Sequence, residues 1–377
     1  MINTRALCLF AQTASVLSLA SAAHAGGSPD KSPTQVIQPK EESPFDKLWG
    51  LATLYKNDQN PYLEELNFTG RFQGQYYAID GENASSDDWD YRRFRLGLKA
   101  KMFDKHLEFN GEMFSELNSG GDFYAGLKNF NLTYKFSDAF SVKVGKMEPK
   151  FSYDYSISDT QLIIFERNAL INQFKNDYGT GISFDGKVDN WSYSLTGLSN
   201  EVDKEFGSFA GGYSLFATVG YDLKGTLGFE KAQWRLDYMH SEHDTKDTLL
   251  TGFDNGLATS LELKQGPYGL ISEVIAGFGN SNSVGLILTP TYDITKKLQL
   301  VGRYQLANSD DAKGLSPQSR YEGRNGAPKG DLYNAAYLGF NYYLYGQKLK
   351  LMSGVEYANM SGGDSSWTWL GGIRMYW

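Results

Sequence analysis

The stretch Asp90–Met102, DYRRFRLGLKAKM, alternates without interruption from Arg93 onward. Phe94, Leu96, Leu98, Ala100 and Met102 share one side of a period-two ladder. Arg93, Arg95, Gly97, Lys99 and Lys101 share the other. A period of two places successive side chains on opposite faces of a β-strand. One face of this strand is apolar and the other is cationic, so it belongs at a boundary between an apolar medium and water. The last stretch, SSWTWLGGIRMYW (365–377), repeats the pattern. Trp367, Trp369, Gly371, Ile373, Met375 and Trp377 fall on one side; Thr368, Gly372, Arg374 and Tyr376 fall on the other, with Leu370 the one large apolar intruder.

The same rhythm runs through the chain from Glu65. It predicts strands over 65–79, 89–102, 106–117, 125–136, 139–146, 177–185, 190–198, 212–221, 230–240, 255–263, 267–276, 283–292, 297–307, 331–344, 347–358 and 366–377. Strands of this length match the roughly 9–11 residues that cross a bilayer when tilted. The connections alternate. FDK (103–105), SDA (137–139), GKVD (186–189), KQGP (264–267), DITK (293–296) and YG (345–346) are short, and DLKGTLGF (222–229) is somewhat longer; most of those between them are longer still, above all 147–176. Short turns at one end and long loops at the other are the mark of an outer-membrane barrel, and a soluble sandwich has no reason to keep them. The fold class is therefore all-β, a transmembrane antiparallel β-barrel of about sixteen strands over 61–377. An even strand count puts both ends of the barrel on the same, periplasmic, side.

Composition agrees. The chain has 25 Tyr, 23 Phe, 41 Gly and 7 Trp among 377 residues, yet mean hydropathy is only −0.43. That combination suits a chain in which alternate residues are apolar. The first 25 residues, MINTRALCLFAQTASVLSLASAAHA, carry Arg5, an apolar centre and small residues before Ala25, and read as an export signal. Cys8, the only cysteine, lies inside it, so cysteine catalysis and a disulfide scaffold are excluded downstream. Residues 26–60 read as a periplasmic linker rich in Pro, Ser, Lys and Glu, followed by a short amphipathic helix within 44–58.

In such a barrel the polar face lines the lumen. Parity then turns Arg71, Arg93, Arg95, Lys99, Lys101, Lys135, Lys143, Arg235, Arg303, Lys348, Lys350 and Arg374 inward, against fewer acids: Glu108, Glu112, Asp237, Glu262, Glu273 and Glu356. The formal charge of −8 comes largely from the connections, so it misleads about the pore. A lumen with excess positive charge concentrates anions. Something must narrow a sixteen-stranded channel if it is to select. The longest connection contains LIIF and ALI, which belong packed inward rather than in water. Lys146, Lys150, Arg167 and Lys175 would then stand at the constriction with Glu148, Asp154 and Glu166, or Glu166 and Arg167 would pin the loop to the wall.

RRFRLGLKAK, VGKMEPKFSYDYSISDTQLIIFERNAL and the stretch from PQSRYEGRN to VEYANM resemble the phosphate-selective porin O/P family of Gram-negative outer membranes. The likeness spans roughly Pro61 to Trp377. It implies a homotrimeric porin with an inward-folded third loop and an arginine ladder, here Arg92, Arg93 and Arg95, that draws small anions such as phosphate toward a lysine-bearing constriction. It also implies that Trp377 serves as the aromatic read by the barrel-insertion machinery. Outer-membrane lipid is the other partner; no cofactor or metal is implied.

Two other classes compete. A non-conducting adhesin or scaffold barrel would have its lumen plugged by loops. An enzyme would need a nucleophile beside a base, and downstream of the signal only His106, His240 and His243 are available. His240 and His243 fall on opposite faces of a strand, so a shared metal needs a curled loop. No phosphate-cradling loop or serine elbow is present, and nothing points to nucleic acid.

Overall fold

The computed structural model describes residues 43–82, 84–117, 121–174, 177–202, 204–242 and 253–377. Residues 1–25, read above as an export signal, and most of the expected linker lie outside them. Residues 48–377 form one compact unit, and the unit before it is described only over residues 43–47. There Ser43 Oγ accepts from the Asp46 amide at 3.1 Å while the Asp46 carboxylate accepts from the Ser43 amide at 2.9 Å, which fixes the start of helix α1 (Pro44–Gly50). The helix, expected within 44–58, ends at Gly50. Thr53–Lys56 instead form a short strand, β1.

Sixteen further strands close the barrel. β2 (Glu65–Gly81) and β3 (Ser85–Met102) make a long hairpin, followed by β4 (Leu107–Ser115), β5 (Gly126–Ser137), β6 (Phe140–Met147), β7 (Gly179–Val188), β8 (Trp191–Ser199) and β9 (Tyr213–Asp222). β10 (Lys231–Ser241), β11 (Asn255–Gln265), β12 (Tyr268–Phe278), β13 (Ser283–Asp293), β14 (Leu298–Ser309), β15 (Leu332–Tyr345), β16 (Leu349–Met360) and β17 (Asp364–Tyr376) complete it. Every neighbour pair is antiparallel, and β17 pairs with β2 from Ser366↔Gly81 to Tyr376↔Arg71. Closure removes the free edge that the aromatic last strand would otherwise present. The β2–β3 connection shrinks to residues 82–84, because strand pairing continues out to Asp80↔Ser85, where Ser85 Oγ also donates to Asp80 at 2.6 Å.

Below Arg71 the wall is completed by a different segment. β17 ends there, and β1 takes over the edge of β2 through Thr53↔Asn67 and Lys56↔Glu65. The Phe68 amide donates to Ala52 O at 2.8 Å, bridging the two pairings. Trp49 is buried beside this seam, its indole N–H donating to Tyr376 O and its ring 5.1 Å from that of Tyr345.

Outward positions form an apolar, aromatic band: Trp367 and Trp369, Phe130 and Leu132, Leu338 and Phe340 are all exposed. No helix among the described residues is long and apolar enough to cross a membrane. The inner wall has two characters. Basic residues are densest on β2 and β3, with Arg71, Arg92, Arg93, Arg95, Lys99 and Lys101, and recur on β10, β14, β16 and β17. Across β9–β16 part of it is apolar and small, with Ala258, Ala307, Ala335 and Ala358 beside Phe216, Met239, Ile275 and Ile287. This surface is covered from inside by the loop 148–178.

Candidate functional site

The loop 148–178 leaves β6 through Gly145, whose φ of +119° and 2.3 Å approach of a would-be Cβ to Phe130 O admit glycine alone. It then folds inward. Phe151, Phe165, Ile171 and Phe174 are all within 1% of complete burial, so LIIF and ALI are indeed packing segments. Helix α2 (Ser152–Ser156) is tied to the wall by the Tyr153 amide donating to Glu273 at 2.5 Å. Helix α3 (Ala169–Asn172) is capped by Asn168 and anchored by the Ala169 amide donating to Gln305 at 2.8 Å. Leu370, the apolar intruder of the last strand, packs in a cluster with Phe165, Ile164, Tyr77, Tyr321 and Tyr337.

The wall arginines converge on two carboxylates of this loop. Arg92 grips Glu166 with Nε and Nη2 at 2.7 and 3.0 Å. Asp159 takes Arg71 as well as Arg93, at 3.1 Å in the latter case. Arg95 donates to Glu112 at 2.9 Å and to the Tyr178 hydroxyl at 3.0 Å, and Arg71 reaches Glu112 too. That Arg92 and Arg93 both reach these carboxylates follows from a β-bulge: Gln73 pairs with Arg93 and Gly74 with Tyr91, leaving Arg92 as the extra residue. Burial alone would push the Glu166 carboxyl up, but Arg92 and then Arg320 outweigh it and hold it well below the usual carboxylate range. Asp159 is held low in the same way by Arg71, Arg95 and Arg93.

The remaining predicted residues distribute around these clamps. Arg303 donates to Glu166 O at 2.7 Å and to Glu356 at 3.0 Å. Arg374 donates to Gln75 at 2.6 Å and lies 5.0 Å over the Phe165 ring. Lys350 donates to Leu162 O at 2.5 Å and to Gln347 at 2.8 Å. Arg235 pairs with Asp237 at 2.7 Å. Arg167 stays within the loop, donating to Asp154 O and Ile157 O at 2.8 and 3.2 Å over the Tyr155 ring. Lys146 donates to Lys204 O at 2.6 Å. Lys99, Lys101, Lys143 and Lys150 line a cavity of about 430 Å³ that also includes Glu65, Glu108 and Asp185, and Lys150 pairs with Asp185 at 3.1 Å. Lys348 lies over Tyr345 at the turn before β16. Trp377 pairs its backbone with Gly70 and lays its ring where a Cβ of Gly70 would be. Lys175 and His243 lie outside the described residues.

On the side of the long loops, a cavity of about 500 Å³ is lined by Arg92, Arg93, Arg95, Lys128 and Arg167, with Arg320 and Arg324. Its acids are Glu116, Glu148 and Asp177. A third cavity, of about 580 Å³, lies between the loop and β7–β14 and mixes Lys187, Lys231 and Lys264 with Asp222, Glu262 and Glu273.

Sequence reasoning passed over Asp159 and the whole contribution of residues 310–331. This second loop also turns inward. Tyr321 is 2% exposed, sets its ring tilted against that of Tyr77 with centroids 5.2 Å apart, and accepts from Gln75 at 2.6 Å. Arg320 pairs with Asp90 at 2.9 Å and approaches Glu166 at 3.9 Å. The available signal was a tyrosine set between arginines in SRYEGR. Among the described residues no group of three or more potential metal ligands is assembled, and His240 bonds Asn255 at 3.1 Å.

A family profile described as phosphate-selective porin O and P matches residues 66–258. A search of curated proteins finds no match. Among solved structures the chain is similar to OmpF of Salmonella typhi in complex with daunomycin, with 12% identity over 86% of this chain and 100% of that one and a TM-score of 0.60. It is similar to an anion-selective porin from Comamonas acidovorans, with 12% identity over 83% and 99% and a TM-score of 0.59. It also resembles OprB of Pseudomonas putida, with 12% identity over 83% and 94% and a TM-score of 0.57. At these identities the structural likeness speaks for the fold.

Proposed function

The chain belongs to the phosphate-selective porin O and P family, an outer-membrane channel family, and from that premise we propose that it passes small hydrophilic anions by passive diffusion. The observation that carries the anion preference is the cavity on the long-loop side, where arginines and lysines outnumber carboxylates. The field there is a surplus rather than a bare ladder, because Glu112, Asp159 and Glu166 neutralise much of the arginine charge. Phosphate as the preferred solute, a homotrimeric assembly and recognition of Trp377 by the insertion machinery belong to the same proposal and are supported by the family. A channel rather than an enzyme is the reading this geometry favours.

The test is a planar-bilayer recording under a potassium chloride gradient. A reversal potential on the anion side is expected, and Arg93→Glu with Arg95→Glu should weaken or invert it. Cation preference in the unmodified channel would overturn the reading. Block of chloride current by low phosphate would establish phosphate preference, and its absence would remove phosphate from the proposal. A barrel that inserts but carries no current would instead be a plugged scaffold.

A further inference from the structure

We propose that the loop between β14 and β15, residues 310–331, is a second selectivity element of the channel, and that Arg324 is the residue through which it recruits anions. The proposal rests on the channel reading above and adds a residue that neither the family likeness nor the strand pattern singled out.

Three observations carry it. First, the loop is built inward and held there. Leu315 is fully buried and bridges to Gly330, Tyr333 donates to Glu322 at 2.8 Å, and Asn325 donates to Ala84 O in the β2–β3 connection. Arg324 lies between the anchors Tyr321 and Asn325, and the Asn325 amide donates back to Tyr321 O at 3.0 Å, so its backbone is fixed. Second, Arg324 lines the same cavity as Arg92, Arg93 and Arg95. Third, those arginines are committed to carboxylates, whereas among the described residues Arg324 is the one cation of that lining with neither an ion pair nor a hydrogen bond. It is also exposed. A neutralised guanidinium adds little to the field felt by an incoming ion, and an unpaired one adds its full charge. Its planar fork can bind a two-oxygen edge of an oxyanion in bidentate fashion.

The experiment is a single-channel recording in a potassium chloride gradient. Arg324→Glu swaps one full charge for its opposite at the mouth and should lower the anion-to-cation permeability ratio by about threefold or more at low ionic strength. Arg324→Lys should leave the ratio within about twofold of the original. Because Cys8 is the only cysteine in the chain and lies in the export signal, Arg324→Cys would carry the sole thiol of the folded barrel. A negatively charged methanethiosulfonate added from the long-loop side should lower the ratio, and a positively charged one should raise it, in channels already folded. An unchanged ratio for Arg324→Glu and for both modified cysteines overturns this inference while leaving anion preference standing. A cation-preferring unmodified channel overturns the anion reading, yet a further shift on Arg324→Glu would still support the loop as a selectivity element.

Discussion

Replacing Glu166 by Gln tests whether the inward loop is held by charge. The Glu166 carboxylate accepts both Arg92 contacts at 2.7 and 3.0 Å, lies 3.4 Å from the Tyr321 hydroxyl and is 3.9 Å from Arg320. It therefore joins the barrel wall, the first inward loop and the second. Removing one partner of a buried pair costs about 3–5 kcal/mol, because the other charge is left uncompensated. The Arg92 side chain retains 17% exposure, which points to the lower end of that range. About 3 kcal/mol corresponds to roughly a 150-fold shift toward a displaced loop. Glu166→Gln channels should show larger and noisier unitary currents and faster proteolysis at residues 148–178. The pH dependence has a definite sign. A carboxylate depressed in the folded state contributes stability above its unfolded value, about 4.3, and that contribution is lost as pH falls through the lower folded value. Unmodified channels should thus keep the quiet state down to about pH 4, and the Gln variant should be noisy at every pH. Identical noise and protease resistance in the two proteins would refute the clamp, leaving the apolar cluster around Phe165 as the anchor.

Glu148, just beyond β6, behaves oppositely. Burial raises its carboxyl above the ordinary 4.5, against the lowering effect of Arg167, so it should gain a proton before Glu166 does. Anion preference is expected to increase as pH falls through the mildly acidic range, and Glu148→Gln should flatten that dependence in reversal-potential measurements. Trp49→Ala removes the indole donor to Tyr376 O and the contact with Tyr345 at the β1–β17 seam. A loss of about 3 kcal/mol, typical of truncating a buried tryptophan, should appear as a lower temperature for the heat-induced shift in gel mobility, with unitary conductance unchanged. A mobility transition at the original temperature would show that the seam does not depend on Trp49.

The strands were legible because a membrane barrel writes its two environments into alternate residues. Asp90–Met102 and 365–377 could be assigned to faces from parity alone, since a one-residue slip would turn Arg95 or Arg374 into lipid. The loop 148–178 could be recognised as inward from LIIF and ALI, which no aqueous loop would carry. The place where parity failed was Arg92, because a bulge is one extra residue that periodicity has no means of locating. The short strand at 53–56 went unread for a related reason: four residues are too few for a period to declare itself, and their role depends on β17 ending opposite Arg71.

By itself, the sequence determined that this chain is a barrel with two chemically different strand faces, and that one long connection carries apolar segments suited to packing inward. These are properties of spacing and polarity along the chain. The tertiary structure alone decided which inward charges are neutralised. Asp159 lies far along the sequence from Arg71, and Glu166 from Arg92, and only closure of the barrel with its loop inside brings them together. Electrostatic selection depends on the distances between charges, because their interaction weakens with separation and is screened over about 8–10 Å, whereas a sequence specifies only the order of those charges.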